Sequence, residues 1–280
     1  MVCEMTLLSA IVLGLIQGVT EFLPVSSSGH LAIAEQILGI NAEIPDFFDV
    51  LLHLGTLFAV FVAYWEEIRD MILEFFRFCG DVARHTSPDP IPPARRMILL
   101  IIVGTLPLFF VLPVKDRIES LGDNLYFISA ALLITGALLW YADRARRGRK
   151  AEMSATLPDV LLVGIAQAFA TCPGISRSGA TISMGCFRGF DRNFAVRYSF
   201  LMSIPAILGA NILSLKDALE AGIIWSETPL YFIGVAIAAG TGYACIYLLK
   251  LIANRGKFGG FAYYCWIVGL LTLIAVLVRH

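Results

Sequence analysis

Apolar residues along this chain fall in blocks of about 20, the length an α-helix needs to cross a bilayer core. Six such blocks cover residues 47–65, 97–112, 125–141, 194–213, 230–249 and 261–278, and each predicts a transmembrane helix. None shows the apolar–polar alternation of a membrane β-strand. Two further blocks are interrupted. Residues 5–23 lead into Pro24-Val25-Ser26-Ser27-Ser28-Gly29-His30 and then a short apolar piece, 31–38. Residues 160–169 lead into Cys172-Pro173-Gly174-Ile175-Ser176-Arg177-Ser178-Gly179 and a second short piece ending near Phe187. Each reads as two half-helices joined by a polar elbow, a re-entrant pair that enters and leaves on one side of the membrane. Irregular backbone survives at that depth only where protein buries it or a wet cavity borders it.

The interrupted blocks repeat one another. At an offset of 150, Gly14 falls on Gly164, Gln17 on Gln167, Ser26 on Ser176, Ser28 on Ser178 and Gly29 on Gly179, and in the spans that follow Leu51 falls on Leu201. A single membrane domain, 1–280, therefore divides into halves, about 1–142 and 157–280, joined by a basic loop at 143–156. Each half holds one re-entrant pair and three spans, and an odd number of crossings inverts the second half relative to the first.

Basic residues test this arrangement, because Lys and Arg gather on the cytoplasmic side. Arg69, Arg77, Arg84, Arg95 and Arg96 lie between the first and second spans. Arg144, Arg146, Arg147, Arg149 and Lys150 follow the third span, two crossings on and so on the same side. Arg188, Arg192 and Arg197 join them only if the second block is re-entrant, and Lys250, Arg255 and Lys257 come two crossings later. The opposite loops hold Lys115, Arg117 and Lys216, with no basic residue at 41–46. The expected architecture is an all-α polytopic membrane protein: six transmembrane helices plus two re-entrant half-helix pairs in an inverted-topology repeat. The first elbow enters from outside, the N-terminus lies outside, and both elbow tips meet near the middle of the bilayer.

Composition agrees with a chain dissolved in lipid. It is 58% hydrophobic and 15% charged, against about 25% charged for a soluble domain, and its mean hydropathy is +0.78. A net charge of −1 offers no basic surface for nucleic acid. The six cysteines form no CxxC pair and read as small apolar fillers. The N-terminal segment opens with Glu4 and leads into a polar loop instead of a cleavage site, so it is expected to stay in the mature chain.

Ionisable groups within membrane segments are costly and point to function. Glu21 ends the first half-helix, with Gln17 one turn earlier on the same face. Ser26, Ser27 and Ser28 open the next helix, where unpaired N–H groups and the helix dipole make an anion site. Simple capping explains one of three hydroxyls and leaves His30 without a role. Ser176, Ser178 and Gly179 repeat the device, and Arg177 between them carries a permanent charge in a planar fork that suits phosphate. Two anion-binding helix starts facing each other, with one Arg and one His, suit a diphosphate. His53, Asp46 and Asp49 are expected to be satisfied interfacial groups at the outer end of the first span, and residues 143–150 a solvated loop. His85 and His280 lie outside the candidate site.

The segments Gln17-Gly18-Val19-Thr20-Glu21-Phe22-Leu23-Pro24-Val25-Ser26-Ser27-Ser28-Gly29-His30 and Pro173-Gly174-Ile175-Ser176-Arg177-Ser178-Gly179-Ala180-Thr181 closely resemble two signatures of one enzyme family. That family is the undecaprenyl-diphosphate phosphatases of the bacitracin-resistance type, and the likeness in length and segment order covers nearly the whole chain. The resemblance implies a multi-pass enzyme of the cell membrane, its site facing the outer side. Its reaction would hydrolyse polyprenyl diphosphate to polyprenyl phosphate and inorganic phosphate, recycling the lipid carrier for envelope glycans and conferring bacitracin resistance. It implies acting residues at Glu21, Ser26, Ser27, His30 and Arg177; the residues expected to bind substrate are Gln17, Ser26, Ser28, Gly29, Ser176, Ser178, Gly179 and Thr181. Many members carry a glutamate where this chain has Gln17. An amide can ligate a divalent ion or bond to phosphate but cannot act as a base, so that burden falls on Glu21 or His30. The type 2 phosphatidic acid phosphatases share Ser-Gly-His and Ser-Arg pieces, but they need a His and an Asp where this chain has Ser183 and Phe187.

Within that reading the diphosphate lies between the elbows, held by Arg177 and the N–H groups after Ser26 and Ser176. A divalent cation, Mg²⁺ or Ca²⁺, bridges it to Glu21 and Gln17, because hard cations take oxygen ligands. Ser27 is the first choice of nucleophile with Glu21 or His30 as base; His30 itself or a bound water is the alternative. The expected partners are the polyprenyl diphosphate lipid and the bilayer, with no nucleic acid; homodimer formation is left open. The rival class is a lipid-phosphate flippase or small-anion transporter, since inverted repeats with broken helices also build carriers. A nucleophile beside a base separates the two.

Overall fold

A computed structural model describes residues 5–37, 46–86, 88, 90–221, 225–255 and 257–279. The loop at 41–45, His280 and the side chain of Asp46, each singled out above, lie outside what it describes. The helices are α1 (Leu7–Phe22), α2 (Ser27–Ile37), α3 (Asp46–Ala63), α4 (Trp65–Arg84), α5 (Pro93–Thr105), α6 (Lys115–Glu119), α7 (Leu125–Arg144), α8 (Leu157–Phe169), α9 (Arg177–Phe187), α10 (Arg192–Ala221), α11 (Thr228–Arg255) and α12 (Gly259–Arg279). Among the described residues the only β pairing is an isolated bridge between Lys150 and Phe190. Five helical segments are long and apolar enough to cross a bilayer, and the bent pair α3–α4 supplies a sixth. The protein is thus an all-α, multi-pass membrane protein. The half-helices α1 and α8 have 16 and 13 residues; at about 1.5 Å per residue they reach roughly 24 and 20 Å, short of the ~30 Å core.

The halves interlock through glycine contacts that recur at equivalent positions. A Cβ on Gly14 of α1 would sit 2.5 Å from the carbonyl oxygen of Gly234 on α11, and a Cβ on Gly164 of α8 would sit 2.1 Å from that of Gly104 on α5. Gly14 and Gly164 are the pair found at an offset of 150, and Gly104 and Gly234 are likewise matched, 130 apart. Each half's first helix therefore packs on a span of the other half, while α3 packs on α10 and α7 on α12. Small residues let helix backbones approach in a medium where apolar burial alone gives no preference between lipid and protein.

Three sequence expectations need correction. The stretch carrying Arg69, Arg77 and Arg84 is not a loop but the 20-residue helix α4, turned 84° from α3. Ile72, Phe75, Phe76, Phe78 and Val82 are exposed on it, and its charges occupy the opposite face, the pattern of a helix lying in the membrane surface. A search for uninterrupted apolar runs passes over such a helix. At the bend, Lys250 of α11 donates to the Ala63 carbonyl at 3.0 Å and lies over the Tyr64 ring. The second span runs its expected length but not as one α-helix: α5 ends at Thr105 and the segment continues as 3₁₀ turns, Leu106–Phe110 and Leu112–Val114. Pro107 and Pro113 lack the N–H that an α-helix would use. Finally, the basic run at 143–150 is solvent-exposed at Arg144, Arg146, Arg147 and Arg149, as expected, but anchored at both ends. Asp143 accepts from the Phe258 N–H at 2.7 Å and pairs with Arg192, while Lys150 reaches the buried Asp159 at 2.7 Å.

Replacing Gly164 by Val should prevent the approach of α8 to α5, because the added atoms meet backbone that cannot move aside. A loss of about 3 kcal/mol or more is expected as lost monodisperse protein in detergent, whereas Gly240→Ala, which meets nothing within 4 Å, should match the parent. Equal stability of the Gly164 variant would contradict the contact.

Candidate active site

Both elbows end in the same serine cap but turn at different residues. In the first, α1 ends at Phe22 and the chain turns through Pro24 to Ser26, whose φ of 75° lies in the left-handed region. A non-glycine residue there carries strain that its surroundings must hold in place. The Ser26 hydroxyl caps α2 by accepting from the Gly29 N–H at 3.3 Å, and it lies 3.3 Å from the Ser28 hydroxyl. In the second elbow the left-handed residue is Gly174, with φ 86°. Ser176 caps α9 by accepting from the Gly179 N–H at 3.0 Å, and its Oγ lies 3.2 Å from that of Ser178.

The elbows bind each other. Ser28 Oγ accepts from the Gly174 N–H at 3.2 Å, and Ser178 Oγ donates to the Leu23 carbonyl at 3.4 Å. The outer spans hold them from behind: Thr135 of α7 donates to the Gly174 carbonyl at 3.4 Å, and the Cys265 thiol of α12 donates to the Pro24 carbonyl at 3.7 Å. These contacts, too, are repeat equivalents.

Where the two halves differ, chemistry appears. Arg177 Nη2 donates to Glu21 Oε1, joining the second elbow to the first. The other carboxylate oxygen, Oε2, accepts from Ser27 Oγ at 2.7 Å and from Gln17 Nε2 at 3.1 Å. Side-chain exposure is 6% for Glu21 and 18% for Arg177, so a charge pair forms the floor of the site. Ser27 is half-buried and Ser28 exposed, so the site opens at the α2 N-terminus. The positive ends of α2 and α9 both converge on this floor.

The sequence-predicted residues Gln17, Glu21, Ser26, Ser27, Ser28, Gly29, Ser176, Arg177, Ser178 and Gly179 are gathered here. Two others face elsewhere. The Thr181 hydroxyl is buried and bonds to the Arg177 carbonyl at 2.8 Å and to Ser199 of α10 at 2.6 Å. His30 bonds through Nδ1 to the Ser26 carbonyl at 2.8 Å and through Nε2 to the Tyr264 hydroxyl at 2.9 Å, not to Ser27 or Glu21. His53, expected at the interface, instead points inward, with Nε2 3.9 Å from Glu21 Oε2 and Nδ1 3.6 Å from Asp49. The signal was present: Asp49, His53 and Thr56 recur at helical spacing along one face of an apolar span.

A divalent cation would find oxygen donors here. The Gln17 carbonyl oxygen is buried without a hydrogen-bond partner. A carboxylate offers about four acceptor positions, and three on Glu21 are taken by Arg177, Ser27 and Gln17. Among the described residues no group of three His, Cys, Asp or Glu could hold a metal by itself, so other ligands would come from the substrate and water.

A hydroxyl held by a carboxylate, beside a guanidinium and two helix N-termini, in a polytopic all-helical frame, defines a membrane protein with hydrolase-type machinery. Comparison with known proteins narrows the class. The family described as bacitracin resistance protein BacA matches residues 10–271, and the chain belongs to that family. Similar proteins include an undecaprenyl-diphosphatase of Desulforapulum autotrophicum, 40% identical over 97% of this chain and 99% of that one. Another, from Halothermothrix orenii, is 40% identical over 96% and 98%, and one from Methanosphaera stadtmanae is 39% identical over 96% and 97%.

Replacing Arg177 by Met strands the Glu21 carboxylate in a buried site and should lower stability by about 3–5 kcal/mol. Adding Glu21→Gln should recover most of that loss, measured as Tm in detergent. Equal Tm values for the single and double variants would mean that water, not Arg177, balances the charge.

Proposed function

We infer that this protein hydrolyses undecaprenyl diphosphate to undecaprenyl phosphate and inorganic phosphate, returning the lipid carrier to envelope glycan synthesis and giving the cell bacitracin resistance. The observation that carries the reading is the 2.7 Å bond between Ser27 Oγ and Glu21 Oε2 beside Arg177, in a chain whose relatives bear that enzyme's name. A carrier for the same anion would need the helix ends and the guanidinium but no hydroxyl poised on a base.

The diphosphate lies between the elbows, its oxygens on Arg177 and on the N–H groups that open α2 and α9. Ser27 Oγ attacks the terminal phosphorus as its proton passes to Glu21 Oε2; an O–P bond forms, the anhydride P–O bond breaks, and polyprenyl phosphate leaves, its former bridging oxygen taking the proton from Glu21 so that the carboxylate is free again. Water then attacks the phosphoserine with Glu21 taking its proton; the Ser27 O–P bond breaks, inorganic phosphate leaves, and Glu21 returns a proton to Ser27. Charge stabilisation dominates phosphoryl transfer, and Arg177 can supply it by exchanging Glu21 for the phosphate. Glu21, not His30, is the base this geometry favours, because both nitrogens of His30 are engaged elsewhere. Glu21 and Gln17 would hold Mg²⁺ or Ca²⁺, which would neutralise phosphate charge. The site faces the outer side of the cell membrane, in keeping with the basic residues collected at the opposite ends of the spans.

Ser27→Ala, Glu21→Gln and Arg177→Lys should each cut phosphate release from a short prenyl diphosphate in detergent by at least about 100-fold, with folding intact. Near-parental turnover in Ser27→Ala would replace the serine by His30 or water, and binding without any release by the parent would favour transport. Exhaustive chelation should lower turnover, and added Mg²⁺ or Ca²⁺ restore it; undiminished turnover would remove the ion from the reaction.

A further inference from the structure

His30 is the site residue whose role the mechanism leaves unused, and its contacts say what it does. Nδ1 lies 2.8 Å from the Ser26 carbonyl oxygen. A carbonyl only accepts, so Nδ1 carries the proton, and Nε2 of the neutral ring is then an acceptor. The Tyr264 hydroxyl, 2.9 Å away, donates to it. The two rings are parallel to within 7°, with centroids 5.6 Å apart, so stacking and hydrogen bond act together. Tyr264 stands on α12, 44% exposed on the outer surface of the helix bundle, and its phenol would otherwise lack a partner in hydrocarbon.

The carbonyl at the far end of this chain belongs to the peptide that links Ser26 to Ser27. Ser26 holds the left-handed φ of 75°, and rotation of that peptide toward an ordinary conformation would swing Ser27 Oγ off Glu21. We propose that Tyr264 is a positioning residue: its hydroxyl donates to His30 Nε2 and polarises the ring, strengthening the hydrogen bond by which His30 Nδ1–H clamps the Ser26 carbonyl, so that Ser27 stays aimed at Glu21. The adjacent Cys265 thiol, bonded to the Pro24 carbonyl, ties the same turn of α12 to the same elbow. The catalytic consequence rests on the hydrolase reading above; the tautomer does not.

Two measurements test this. In the parent protein labelled with ¹⁵N-histidine, the His30 nitrogens should report the Nδ1–H tautomer with Nε2 accepting a hydrogen bond, and Tyr264→Phe should keep Nδ1–H while shifting the Nε2 resonance to that of an unbonded nitrogen; a parent in the Nε2–H form, or an Nε2 resonance unmoved by the substitution, overturns the proposal without any substrate. In turnover assays, Tyr264→Phe keeps the stacked ring and loses only the donor. It should lower kcat about tenfold, the loss expected for one hydrogen bond, with KM within about twofold because no phosphate contact changes. Combined with His30→Asn it should be no slower than His30→Asn alone, since both break one chain. Multiplying losses, or parental kcat in Tyr264→Phe, would overturn the clamp. The neighbouring Tyr263→Phe, whose ring packs on Trp266, should leave kcat at the parental value.

Discussion

The pairing of Glu21 with Arg177 is the constraint around which the molecule is arranged. Either charge alone in a low-dielectric interior would cost several kcal/mol, and together they also leave little room for disorder in the backbone that carries them. The carboxylate ends one broken helix and the guanidinium begins the far side of another, so both elbows must reach the same depth from separate halves of the chain. Packing of α1 on α11 and of α8 on α5 supplies that meeting, and glycines at Gly14, Gly18, Gly104, Gly164 and Gly234 let the helices approach closely enough to hold it. Irregular backbone inside a membrane must satisfy its own polar groups, which Ser28, Ser178, Thr135 and Cys265 do from one elbow or span to the next.

Symmetry builds the cradle, and its breaking builds the chemistry. Ser26 and Ser176, Ser28 and Ser178, and Gly29 and Gly179 make equivalent caps, each offering a helix N-terminus to an anion. Between the caps the halves diverge: Ser27 stands opposite Arg177 in the repeat, and Glu21 opposite Thr171. One half thus contributes the hydroxyl and its base, the other the permanent positive charge. Phosphoryl transfer asks mainly for placement and charge, and this division provides both. Gln17 fits the same logic, since a second carboxylate beside Glu21 would need a further cation, whereas the amide donates to Glu21 directly.

The cluster is supported from several directions at once. Glu21 is approached by Arg177, Ser27, Gln17 and His53 from α9, α2, α1 and α3. The strained turn at Ser26 is held through His30 and Tyr264 from α12. Beyond the site, α4 turns its aromatic face outward at the end of the first span, and buried Asp159 gathers Lys150 and Arg188 where the two halves join. These fix the frame in which the elbows meet.

Local patterns carried much of this in the sequence. Run length fixes the spans because hydrocarbon thickness sets helix length; the Pro and Ser-Gly interruptions mark the elbows; the offset of 150 relates the halves; and Glu21, Ser27 and Arg177 stand out because lipid tolerates no idle charge. Family resemblance led to the same residues. What escaped depends on direction and distance. The helical period of α4 mixes charge with aromatics, so a count of apolar residues passes over it. The inward turn of His53, the outward bond of His30 and the inward hydroxyl of Thr181 are set by how helices rotate about their axes when packed. Sequence alone determined which residues lipid would force together; tertiary structure decided which atoms meet, because a hydrogen bond forms or fails over less than an ångström and its partners come from helices far apart in the chain.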